Sequence, residues 1–167
     1  MSEQQTSQSN FGIYSLYVLG AIACFVFFQF FYPYHLFYQE QNQLFLSSWD
    51  YLTTYLDKPG WLACLAGDFL TQFYYFRYAG PIILTLCILI TGHNVKCAVR
   101  DADIQGKKTA HFVAFIMMIL LVCFSFHYDY RLCSILAIAG GASVFRVSTK
   151  LLTSTRMFLK KIEKMDD

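Results

Sequence analysis

GIYSLYVLGAIACFVFFQFFY, residues 12–32, carries no charge and is long enough to cross a hydrocarbon layer of about 30 Å. The preceding MSEQQTSQSN has no Lys or Arg, so the positive start of a cleaved signal peptide is missing. The run also exceeds an apolar signal core of roughly 7–15 residues, and no small-x-small site follows it. A retained membrane helix is the reading, and the rest of the chain agrees with it. Hydrophobic residues make up 56% and charged residues 14%, against about 25% charged in a soluble domain. A water-exposed surface would be hard to cover from that stock.

Three further apolar runs follow. Residues 73–91 hold Arg77 near the start, where it can snorkel, and Pro81 early, where helix N–H groups lack partners anyway. Residues 110–127 form the third span. Residues 132–147 form the fourth and weakest, with small residues at Gly140, Gly141 and Ser143 that let helix backbones approach closely in lipid. The chain therefore reads as one all-α membrane domain of four spans. An outer loop (33–72), a cytoplasmic loop (92–109) and a cytoplasmic tail (148–167) complete it.

The cations set its direction. Lys96, Arg100, Lys107 and Lys108 lie in the second loop, and Arg146, Lys150, Arg156, Lys160, Lys161 and Lys164 at the C-terminal end. By the positive-inside rule both termini are cytoplasmic. The tail could lie as a basic helix on anionic lipid or stand as a solvated stub. With a net charge of +2 and no basic run interleaved with exposed aromatics, nucleic acid is not an expected partner. The six cysteines form no CxxC pair and read as packing residues, without a disulfide framework.

The outer loop has its own pattern. From Gln41 to Leu56, apolar residues recur at helical spacing, and Asp57-Lys58-Pro59-Gly60 stops them. A second helical pattern runs from Trp61 to Gln72. These helices would lie at the interface with their acids facing water.

The loop also carries a resemblance. Tyr34-His35, Glu40-Gln41-x-Gln43-Leu44-Phe45, Pro59-Gly60 and Gly67-Asp68-Phe69-Leu70-x-Gln72-Phe73-Tyr74 resemble the N-terminal portion of an integral-membrane family of Bacteroidota, domain of unknown function family 6057. The resemblance covers roughly residues 30–90; beyond it only hydropathy matches. It implies a multi-span protein of the bacterial inner membrane, in a family whose members are longer, and no established activity.

The candidate chemistry is sparse. Glu40, Asp50 and Asp68 are the acids that could act as a general base or hold a metal, as outer-loop acids do in polytopic transferases of lipid-linked sugars. Capping or solvating amphipathic helices is the simpler role, and it leads. His35 with Glu40, and His127 with Asp129, lie near the outer surface without a metal-ligand spacing. The loop holding His93, Asp101, Asp103 and His111 lacks phosphate-binding and EF-hand spacings and reads as a solvated connector. No cofactor is called for. No charge sits deep in the first three spans, which argues against an autonomous transporter. The expected function is an accessory or assembly component working with a membrane partner or as a homo-oligomer. The alternative is the membrane front of a glycosyltransferase-like enzyme.

Overall fold

The computed structural model describes residues 15–42, 45, 48–57, 59–102, 107–127 and 130–166; of residues 37, 40, 42, 107–108 and 156–166 it describes the backbone alone. The described residues are helical, with no strand among them. In chain order they form α1 (Ser15–Phe31), α2 (Pro33–Asn42), α3 (Trp49–Leu56), α4 (Trp61–Thr71), α5 (Ala79–Asp101), α6 (Lys107–Phe124) and α7 (Leu132–Asp166).

α1 closes in a π-helical turn, Phe27–Phe31, whose last bond runs from Tyr32 N to Phe27 O at 3.2 Å. Pro33 has no N–H to continue the ladder, and its fixed φ suits the first turn of α2. The first outer-loop helix is thus divided differently from the expected 41–56. One helix begins at Pro33, and a second begins after Ser48, whose Oγ accepts from Tyr51 N at 3.4 Å. A serine cap placed there starts a new helix at Trp49. The second expected helix, from Trp61, is present as α4, preceded by Gly60 at φ 73, a left-handed conformation that favours glycine.

The long helices alternate in direction. Tyr17 lies by His111 and Phe27 by Phe126, so α1 and α6 run the same way. Thr91 reaches Ile135 O at 3.4 Å, Asn94 reaches Ser143 Oγ at 3.0 Å, and Arg146 reaches Asp101 at 3.3 Å, so α5 and α7 run parallel. Cys24 accepts from Thr85 Oγ1 at 3.7 Å, while Tyr17 shares a cavity wall with His93, which sets α1 antiparallel to α5. The short helices α2–α4 therefore gather at one end, beside the starts of α5 and α7. The core between the long helices holds Phe28, Leu84, Ile88, Met118, Leu121, Leu132 and Ile135.

By length and composition, α5 and the Leu132–Thr155 part of α7 can cross a membrane; Ser15–Phe31 and Thr109–Phe124 are apolar but shorter. The expectation of four full-length spans is met at that level by two helices. Their limits also differ. Gln72–Tyr75 is a 3-10 turn, so α5 starts at Ala79, which leaves Pro81 in the first turn. α5 then continues through the expected connector as far as Asp101, because Cys97 and Ala98 remain buried there. The fourth run does not stop at 147, since α7 continues unbroken for 35 residues into the tail.

The small residues of α7 are used unevenly. Ser143 Oγ donates to Ala139 O at 2.8 Å and accepts from Asn94. Gly140 and Gly141 take no part in the bundle: a methyl group on either would meet nothing within 4 Å. The close approach of α7 comes instead from Gly67 of α4, where a methyl carbon would stand 2.7 Å from Cys133 N.

Candidate functional site

Polar groups concentrate at the end capped by α2–α4. α3 is capped by Asp57, α4 begins after Gly60, and the two helices face each other. Tyr55 and Asp68 are both buried, and the Tyr55 hydroxyl donates to Asp68 Oδ2 at 2.6 Å. Tyr51 OH lies 2.5 Å from Tyr55 OH, so two phenols and a carboxylate form a short chain. Burial first, then the bond to Asp68, pushes the Tyr55 phenol well above its ordinary range. A neutral phenol that holds its proton is a fixed donor to Asp68. Thr71 adds a local bond, Oγ1 to Asp68 O at 2.9 Å.

A second cluster is built on α2. His35 is 2% exposed, and its Nε2 is 3.2 Å from Gln39 Nε2, one helical turn along α2. Gln39 Nε2 also donates to Tyr130 O at 2.9 Å, which ties α2 to the connection between α6 and α7. Tyr74 completes this wall and is 2% exposed. The space left between His35, Gln39, Tyr74 and Tyr130 is about 10 Å³. A single water needs roughly 10–15 Å³, so no sugar or phosphate can enter.

The sequence candidates separate accordingly. Asp68 is enclosed. Asp50 is exposed in the first turn of α3, where an acid favours the helix dipole. Glu40 lies in α2, with its side chain outside the described residues. His35 is buried while His127 is exposed, and among the described residues no three His, Cys, Asp or Glu side chains come together. Asp129 and Asp103 lie outside the described residues. His93 and His111 lie on α5 and α6 at the opposite end, with Asp101 held by Arg100 and Arg146. Sequence reasoning missed Tyr55, Gln39, Tyr74 and Tyr130. Of these, only Gln39 left a signal, its i,i+4 spacing from His35.

The match that bears on identity covers almost the whole chain. The model of a family of unknown function, DUF6057, matches residues 8–161. The chain belongs to this family. The match extends well past residues 30–90, so α6 and most of α7 are as much part of the family pattern as α2–α4 of this DUF6057 member. No curated protein and no solved structure matches the chain.

The His35 environment makes a testable claim about pH. Burial lowers the imidazole below its ordinary value, partly offset by a hydrogen bond from the ring to the Ser125 backbone. A depressed folded value means the stabilisation is complete above about pH 6.5, where the unfolded imidazole is also neutral. It is lost as pH falls towards the folded value. Thermal unfolding of the purified protein in detergent should therefore weaken below about pH 6.5. The difference between wild type and His35→Gln should carry this slope; parallel profiles would remove His35 as its source.

Proposed function

We propose that the chain is a multi-pass inner-membrane protein with four spans and cytoplasmic termini, acting as an accessory or assembly component with a membrane-protein partner. The observation that carries the reading is the outward surface of the long helices. On α5, Ile82, Leu86 and Ile90 are exposed at four-residue spacing. Leu19 and Ile22 on α1, Phe112 and Ile116 on α6, and Val144 and Val147 on α7 are exposed likewise. Such surfaces are at rest in acyl chains and costly in water. The alternating helix directions support four crossings. The two shorter helices can be served by local thinning of the bilayer.

Two observations favour an accessory role over catalysis by this chain. Asp68, the buried acid of the outer loop, is closed in and engaged by Tyr55. The Gly140–Gly141 face of α7 is uncovered and available to a partner helix.

Orientation and partner can be tested together. The native thiols are poor reporters, because Cys97 is buried and Cys64 is half-buried. Asp57→Cys and Lys150→Cys, at exposed positions on a cysteine-free background, replace them. Cys at 57 should react with an impermeant reagent on intact spheroplasts, and Cys at 150 only after permeabilisation. Reversed labelling would overturn the orientation. A photo-crosslinker at position 144 should capture one defined membrane protein. Capture of lipid alone would sink the partner reading.

A further inference from the structure

Two adjoining cavities run beside α1, towards the end away from the short helices. The larger, about 310 Å³, lies between α1, α5 and α6 and is lined almost wholly by apolar side chains, including Ala23, Ile88, Met118 and Val122. Gly20 helps open it, since a methyl group there would meet nothing within 4 Å. The smaller, about 230 Å³, is lined by Tyr17, Leu89, His93 and Lys96. Leu89 borders both, so an apolar groove leads into a polar mouth. Between Phe27 and Tyr17 the groove follows α1 for about 15 Å.

The mouth is cationic. Lys96 acts electrostatically on both His93 and His111, and Arg100 and Arg146 act on His93. Tyr17 OH lies 3.4 Å from His111 Nδ1. Asp101 is engaged by Arg100 at 3.6 Å and Arg146 at 3.3 Å, whereas no carboxylate among the described residues pairs with Lys96.

We propose that the groove and its mouth hold one anionic phospholipid, with an acyl chain along α1 and the phosphate at Lys96 and Tyr17. The assignment rests on the membrane reading above. The lining of the groove is apolar except for Thr85 and Cys24, which bond each other, while the mouth offers a phosphate positive charge and a hydroxyl. A free phosphate could use the mouth but would leave the groove unfilled.

The full-length chain, purified in mild detergent, can be titrated with phosphatidylglycerol and phosphatidylcholine and read by native mass spectrometry. One phosphatidylglycerol should bind per chain. Lys96→Gln should lower its preference over phosphatidylcholine by about fivefold, the effect of one surface cation on an anionic lipid. Gly20→Phe, which fills open space, should abolish retention of both lipids, and excess inorganic phosphate should not displace the bound lipid. Equal retention of the two lipids by wild type would overturn the proposal. So would unchanged binding in Gly20→Phe, or displacement by inorganic phosphate. Alkaline carbonate extraction separates this failure from that of the membrane reading. A chain stripped from membranes loses both claims; one that stays in the pellet without lipid preference loses only this one.

Discussion

Gly67→Ala should destabilise the protein by about 2–3 kcal/mol, the range expected when a tightly packed contact is overfilled. The added carbon would stand 2.7 Å from Cys133 N, 2.8 Å from Cys133 Cα and 2.9 Å from Cys133 Cβ. Two of these are backbone atoms of α7 and cannot swing aside. Relief requires α4 to move off α7, and α4 carries Asp68 and the buried Thr71. Gly92→Ala makes the contrast. Its carbon would fall even closer to a neighbour, 2.4 Å from Met118 Sδ and 2.6 Å from Met118 Cγ, but both belong to an unbranched side chain that can choose another rotamer. Its cost should stay below about 1.5 kcal/mol. The check is thermal unfolding of both variants in one detergent, where Gly67→Ala should melt roughly 5–10 °C lower. Equal losses in the two variants would mean that backbone proximity at α4–α7 does not decide the packing.

Tyr55→Phe is expected to cost about 1.5–3 kcal/mol, the worth of a hydrogen bond to a charged group. It removes the 2.6 Å donor to Asp68 and leaves that acid buried without its phenol. Tyr51→Phe should cost less, since the Tyr51 hydroxyl bonds the neutral Tyr55 hydroxyl. Asp68→Asn retains an acceptor for the Tyr55 hydroxyl, so its accumulation in cells should be close to that of wild type. Complementation of a deletion phenotype then separates structure from chemistry. Under the accessory reading, Asp68→Asn complements while Tyr55→Phe accumulates poorly. If Asp68→Asn accumulates normally but fails to complement, the carboxylate has a chemical task and the enzyme alternative gains. A general base lost in that way would lower a rate by about 10²–10⁴.

Much of the architecture was legible along the chain because it is local. The charge-free run 12–32 yielded the apolar helix α1 from its own residues alone. Pro59 and Gly60 act within a turn of where they stand. The pattern from Trp61 yielded α4 without any knowledge of its neighbours. Cation placement gave the proposed sidedness for the same reason, since each loop is read on its own.

What lay beyond the sequence is everything that needs two distant segments at once. The 41–56 pattern did not say that Ser48 would restart a helix, because the apolar period continues through it. Gly140 and Gly141 satisfied the rule for close packing yet face open space, while Gly67, in a loop helix, carries the close approach to α7. The identity of a glycine does not record which helix will arrive beside it. Asp68 read along the chain as a water-facing acid first and as a base or metal ligand second; the Tyr55 hydroxyl, supplied by another helix, instead decided its surroundings. Composition and periodicity determined that this chain is helical and apolar. Only the tertiary structure decided which polar groups meet, because burial and hydrogen-bond pairing depend on chain crossings that no local window contains.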